Sequence, residues 1–362
     1  MPPTIGVGIV GLSARGGWAA NAHVPALRAV DGVELRGLTA SSRESADQAA
    51  ARFHVPVSTT DVAELAARPD IDLVVIAVPT PLHRELIETV LKAGKMVHSE
   101  WPLATGAAEA AELAELAGRL GIRTAVGLQA RSVPALRYLR DLIADGYVGE
   151  VLSTTLVGSG GGWGGVVPSR LLYTLDSASG ATMLTIPFGH TLAAFTMCLS
   201  GFATLHATTA TRRPTARNTD TGETVTVRTA DQVAVTGVLE SGAVAALHYR
   251  GGSSRATNLR WEVNGTDGDL VVTGDSGHVQ MGGVILRGAR GQDRALAELT
   301  VPERYHAVSG AVPPWSGVAH SYAQLVADIR DGTAVVPDFA FAADHNRLLD
   351  RIARSATTEP AG

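Results

Sequence analysis

The stretch IGVGIVGLSARGGWAA, residues 5–20, decides how the rest of the chain is read. An apolar run ends in glycine, and Gly11, Ser13 and Gly16 fall on the G-x-G-x-x-G positions, with serine in place of the middle glycine. Glycine in such a turn lets the backbone approach a pyrophosphate above a helix N-terminus. The motif is weak by itself. A strand-like run precedes it, a helical pattern through HVPALRAV (23–30) follows, and a second strand, VELRGL (33–38), comes at the distance the fingerprint needs. Arg15 and Trp18 lie inside the same turn and join the expected cofactor contacts. The plainer alternative is a glycine turn in a doubly wound sheet that holds no dinucleotide.

The second strand runs into TASSRES (39–45), where an Asp or Glu would bind the ribose 2′-hydroxyl of NAD. Ser41, Ser42 and Arg43 instead offer hydroxyls and a cation to a 2′-phosphate, which favours NADP over NAD. Ser42 and Arg43 as a solvated helix start is the competing reading.

Outward from this turn, short apolar runs alternate with helical patterns as far as RTAVGL (123–128). RESADQAAARF (43–53), PLHRELIETVLKAG (81–94) and AAEAAELAELAGRLG (107–121) read as helices, the second opened by Pro81 and closed by Gly94. Such alternation implies a Rossmann doubly wound parallel sheet over residues 1–128. After about residue 145 the texture changes to β-branched runs separated by Gly, Asn and Asp, as in QVAVTGVLE and LRWEVNGTDGDLVVTG. Residues 129–362 are therefore expected to form an open, mostly antiparallel sheet domain of α+β type. TARNTDTGETVTVRT (215–229) reads as a mobile loop, and GSGGGWGG (158–165) as a loop lining a site through Trp163.

Bulk properties exclude several roles. The 362 residues carry a net charge of −5 without a Lys/Arg run, which argues against direct nucleic-acid binding and anionic membranes. A single cysteine, Cys198, precludes an internal disulfide and fits a reducing cytoplasm. Residues 177–205 contain no Asp, Glu, Lys or Arg, yet Pro187, Gly189 and His190 at their middle favour a buried helix over a membrane span. No metal-ligand spacing is recognised.

Taken in order, DLVVIAVPTPLHRELIETVLKAGKMVHSEWPLA (72–104), GIRTAVGLQARSVPALRYLRDLIADGYVGEV (121–151), YAQLVADIRDGTAVVPDF (322–339) and RLLDRIARSA (347–356) resemble the Gfo/Idh/MocA oxidoreductases over nearly the full length. The resemblance implies a nicotinamide cofactor, with Pro79, His83, Glu100, Pro102 and Gln129 beside it. Within the family, GLSARGGWA, EWPLA, GGWGG, FGHT and YRGG resemble a branch whose yeast member, in galactose/lactose metabolism, binds the cofactor but serves as a repressor subunit.

Most relatives carry Glu-Lys-Pro where this chain has Glu100-Trp101-Pro102, and a D-x-x-x-H stretch where it has Ile186 and His190. An indole donates a hydrogen bond but cannot take up a proton. Of the usual acid/base groups only His190 remains, with a side-chain type suited to proton transfer near neutrality. Tyr173 is a second candidate donor. Trp101 is expected to project toward the substrate and stack on a sugar face or on the nicotinamide, against hydrophobic plugging as the alternative. Arg131, Trp163, Tyr173 and His190 are the expected substrate contacts. The resemblance thus implies an NAD(P)-dependent oxidoreductase for a small, carbohydrate-like carbonyl, alcohol or imine, with a catalytically silent sensor or transcriptional regulatory subunit as the alternative. An exposed sheet face in the second domain is expected to pair subunits into a homodimer or homotetramer.

Overall fold

The computed structural model describes residues 4–281 and 283–356. They form two compact units, one of residues up to Ser132 together with Ala307–Asn346, the other of Val133–His306 and the residues from Arg347 on.

The first unit is built on six parallel strands: β1 (Ile5–Val10), β2 (Val33–Thr39), β3 (Val57–Thr59), β4 (Leu73–Ile76), β5 (Met96–Glu100) and β6 (Thr124–Gly127). Their order is β3-β2-β1-β4-β5-β6, the doubly wound arrangement expected from the alternation of runs. Every residue of β1 and β4 is buried, which is why those strands are continuously apolar rather than alternating. The intervening helices are α1 (Val24–Ala29), α2 (Arg43–Phe53), α3 (Val62–Ala66), α4 (His83–Lys92) and α5 (Ala107–Leu120). Two boundaries differ from the sequence reading. The helix after the glycine turn begins as a wide π turn over Ala19–His23. A single 3₁₀ turn over Thr80–Leu82, closed by Leu82 N–H to the Pro79 carbonyl at 2.9 Å, precedes α4, so Pro81 sits ahead of that helix.

The second unit contains α6 (Pro134–Ala144), β7 (Val151–Ser159), β8 (Val166–Val167), α7 (Pro187–Leu199), β9 (Phe202–Ala210), β10 (Thr215–Asn218), β11 (Thr224–Thr226), β12 (Gln232–Leu239), β13 (Val244–Arg250), β14 (Leu259–Gly265), β15 (Gly268–Gly274), β16 (Val284–Arg290) and β17 (Ala297–Glu298). Eight of these strands make one sheet, ordered β17-β16-β15-β14-β7-β13-β12-β9. It is antiparallel except for the β7–β13 pair. Along β13 burial alternates residue by residue, with Ala245, Leu247 and Tyr249 inward and Val244, Ala246 and His248 outward. Inward rings meet α7: Phe188 lies 5.7 Å from Tyr249, and Phe195 lies 5.6 Å from Trp261.

The charge-free segment 177–205 supplies α7, of which 11 residues are buried. No described helix is long and apolar enough to cross a membrane. The stretch 215–229 is not the loop expected from its polarity. It contains β10 and the β-branched β11, joined around Gly222 (φ +78°) and extended by β8 into a separate three-stranded sheet. Val167, Leu175 and Ala216 give that sheet its own small core, packed by Trp163, Leu171 and Leu172.

Candidate functional site

The glycine turn after β1 has the backbone that its residues require. Gly11 and Gly16 hold φ of +93° and +107°, a region open to glycine and strained for side chains. A Cβ on Gly11 would lie 2.6 Å from the Ala77 carbonyl oxygen, whereas one on Gly16 would meet nothing within 4 Å. Gly11 is therefore demanded by packing against the strand end, and Gly16 by conformation. Ser13 shapes the turn: its carbonyl accepts from Gly16 N–H at 3.2 Å and its hydroxyl from Arg15 N–H at 3.1 Å. The Arg15 side chain is exposed. Trp18 packs on the core with its buried indole N–H lacking a hydrogen-bond partner in the structure.

At the end of β2, Ser41 is exposed, the Ser42 hydroxyl caps α2 by accepting from Ser45 N–H at 3.2 Å, and Arg43 bonds to Asp47 and Ser58. Both the capping role and the proposed phosphate role use Ser42, so the sequence alternatives share the same atoms.

Past β4, Pro79 is exposed and starts the 3₁₀ turn. His83 is 1 % exposed; its Nε2 lies 2.9 Å from the Val78 carbonyl, and its Nδ1 lies 3.2 Å from the Leu103 carbonyl and 3.3 Å from the Ser99 hydroxyl, so a neutral ring donates to one carbonyl only. Burial pulls its pKa down. This imidazole braces the loops after β4 and β5, a role its sequence position did not indicate.

The Glu100-Trp101-Pro102 segment begins at the last residue of β5. The Glu100 carboxylate accepts from Gln129 Nε2 at 3.0 and 3.2 Å and from His23 Nε2 at 3.0 Å. Gln129 is buried, and its Oε1 has no partner in the structure. Trp101 is 5 % exposed, its ring 5.2 Å from that of His345. Such burial against a neighbouring ring fits the plugging alternative. Pro102 is buried beside it. Arg131 sets its guanidinium 4.4 Å over the Phe341 ring, an aromatic stacking that its reading as a substrate contact did not include.

His23 and His98, to which sequence gave no role, prove central here. With Tyr322 and Glu100 they form a buried polar cluster: His23 Nδ1 lies 2.6 Å from the Tyr322 hydroxyl, and the His98 ring lies 5.3 Å from that of Tyr322. Burial, reinforced by His23, lowers the His98 pKa to about 4. The partners come from segments nearly 300 residues apart, so no local pattern could have signalled them.

In the second unit, His190 is buried on α7. Tyr173 is half-buried in a 3₁₀ segment over Ser169–Leu175, and burial raises its pKa, so the phenol stays a proton donor. Trp163 adopts φ +52° within the glycine-dense loop, donates to the Thr174 carbonyl at 3.3 Å and stacks 6.3 Å from His278. His278, another residue missed from sequence, reaches the Gly160 carbonyl through Nε2 and receives Gln280 Nε2 at Nδ1, 3.1 Å away. Burial lowers its pKa, and its contact with the Gly160 carbonyl ties it to the glycine loop. No group of His, Cys, Asp and Glu among the described residues is arranged to hold a metal.

Residues 5–128 match the family model described as oxidoreductase family, NAD-binding Rossmann fold, and residues 134–274 match that of Gal80p, C-terminal domain. The galactose/lactose metabolism regulatory protein of Saccharomyces cerevisiae is 28 % identical over 315 residues, covering 81 % of this chain and 72 % of that protein. Dehydrogenase aclE of Aspergillus oryzae is 33 % identical over 222 residues, 58 % of each chain. Among solved structures, a super-repressor mutant of Gal80p from Saccharomyces cerevisiae superposes with a TM-score of 0.87 at 23 % identity, covering 98 % of this chain and 96 % of that one. A levoglucosan dehydrogenase complexed with NADH and levoglucosan does so at 0.85 and 22 %, covering 99 % and 98 %. At these identities the structural likeness is one of fold.

Proposed function

We propose, for a chain that belongs to the Gfo/Idh/MocA oxidoreductase family, that it is an NAD(P)-dependent oxidoreductase of a small, sugar-like alcohol, carbonyl or imine, with an altered proton-transfer set. The observation that carries this reading is the glycine turn at Gly11 and Gly16. At Gly16 and Gly17 it leaves backbone unshielded by side chains ahead of a helix, and Trp18 Nε1 and Gln129 Oε1 are buried polar atoms without a partner in the structure. Those features suit a dinucleotide, held by the turn, by Ser41–Arg43 and by the loops carrying Pro79 and Glu100–Pro102. Bound nicotinamide would supply the hydride acceptor or donor.

The chain's own residues would manage binding and the proton. Trp101 brings no titratable group, so the proton role falls to His190, with Tyr173 as the second donor. Trp163 and Arg131 would contact the substrate. The cofactor is NAD or NADP; the sequence preference for NADP now depends on Arg43, whose guanidinium the structure commits to Asp47 and Ser58. We place the protein in the cytoplasm. We also propose that the outer face of the large sheet, where Val238 and Val244 are exposed opposite each other, meets a second copy; a monomeric mass by light scattering would dismiss that assembly.

One observation favours a second reading. The residue standing at the family lysine is packed against His345 rather than presented, which suits a protein that binds cofactor as a sensor or regulatory subunit. The deciding experiment follows reduced-nicotinamide absorbance while purified protein is offered a panel of sugars, polyols and their carbonyl forms. Turnover supports the enzyme. Tight dinucleotide binding without turnover on any of them supports the regulator.

A further inference from the structure

Arg43 stands where a cation would meet a 2′-phosphate, yet its guanidinium is already occupied. Nε donates to Asp47 Oδ2 at 3.1 Å and Nη2 to Asp47 Oδ1, a two-pronged pair in which both partners are fixed in orientation. Nη2 also donates to Ser58 Oγ at 2.9 Å and Nη1 to the Ser58 carbonyl at 3.0 Å. Ser58 closes the triangle by donating to Asp47 Oδ1 at 3.0 Å. A guanidinium has about five N–H donors. These contacts use four of them, one on Nε, one on Nη1 and two on Nη2.

We propose that Asp47 is a selectivity residue that sets the balance between NAD and NADP by holding the Arg43 guanidinium on its carboxylate. The inference rests on the dinucleotide reading above. NAD presents a neutral 2′-hydroxyl at this corner and asks nothing of Arg43. NADP presents a phosphate of nearly two negative charges, which needs several donors from one cation. To supply them Arg43 must leave Asp47, and the carboxylate then remains as a like charge beside the phosphate. Glu64, on the neighbouring helix α3, adds to the negative field acting on Arg43. Ser42 offers little relief: its hydroxyl accepts the capping bond of α2 and keeps a single O–H to donate, which brings no positive charge to the phosphate. The pair is exposed on both sides, 63 % and 53 %, so the exchange is open to solvent and the effect is moderate in size.

Calorimetric titration of the full chain with NAD and with NADP at low salt tests this, using wild type, Asp47→Asn, Asp47→Ala and the same changes in an Arg43→Gln background. Each Asp47 substitution is expected to tighten NADP about fivefold, the scale of one exposed charge pair, while NAD changes little. In the Arg43→Gln background that gain should vanish. Unchanged NADP affinity overturns the proposal, as does tightening that persists without Arg43, or a ratio that moves only because NAD is lost. Wild type that binds neither dinucleotide would instead remove the cofactor reading on which the proposal stands.

Discussion

The Nε2 of His23 lies 3.0 Å from the Glu100 carboxylate, at the end of β5, while its Nδ1 faces the Tyr322 hydroxyl at 2.6 Å. A carboxylate only accepts, so in the neutral ring Nε2 carries the proton and Nδ1 accepts from the phenol. Tyr322 fits this assignment, since burial holds its pKa well above the ordinary phenol value. One imidazole thereby joins the turn after β1, the end of β5 and the helix that carries Tyr322.

Replacing His23 by Phe keeps the volume but leaves the Tyr322 hydroxyl buried without its partner. The expected loss is about 2–3 kcal/mol of unfolding free energy, read from urea melts. An unchanged midpoint would show that the cluster is not structural.

Acid should weaken the fold through His98. Its folded pKa of about 4 lies below the unfolded value, near 6.5. Between those values the unfolded chain binds a proton that the folded chain refuses, so stability falls as pH drops through this window and is flat above it. The loss reaches on the order of 3 kcal/mol at the acid end. His83 shifts in the same direction. His98→Gln should reduce the slope of stability against pH by about one proton; an identical slope in wild type and variant would contradict the assignment.

Trp101→Ala should cost about 3–5 kcal/mol, because a nearly buried indole is removed from its contact with His345. Trp101→Lys should also destabilise, since it places an ammonium group in the same site. Thermal or urea denaturation decides the matter, and wild-type stability in both variants would mean that the indole is not packed as described.

Gly11→Ala and Gly16→Ala should separate two kinds of requirement. The first pushes a methyl against the Ala77 carbonyl and should lower the melting midpoint clearly. The second adds a methyl in open space at φ +107°, so a smaller stability change should accompany a larger loss of dinucleotide affinity. Equal losses of both properties in both variants would refute the distinction.

His190→Ala should lower turnover about 10²- to 10⁴-fold with dinucleotide affinity preserved, as measured by steady-state rates beside calorimetry. Undiminished turnover would pass the proton role to Tyr173, which the same pair of measurements on Tyr173→Phe can assess.

The Rossmann sheet was legible in the residues because its information is local. Apolar runs that are buried on both faces, glycines where φ must be positive, and Ser42 ahead of α2 each state their own backbone. The same local cues allowed the apolar segment around His190 to be read as a buried helix. They misled at 215–229, where a polar surface suggested a loop although the alternating Thr and Val of 224–226 pair across Gly222 with Thr215, Ala216 and Arg217. Whether such a stretch forms strands depends on partners, here β8 and the small core under it. Side-chain roles were less legible still. That Trp101 turns onto His345, that His83 lies between two backbone carbonyls, that Asp47 occupies Arg43 and that His23 joins Glu100 to Tyr322 were all decided by tertiary structure. Backbone form follows from neighbours along the chain, whereas the hydrogen bond a side chain makes depends on which group the fold brings within about 3 Å of it.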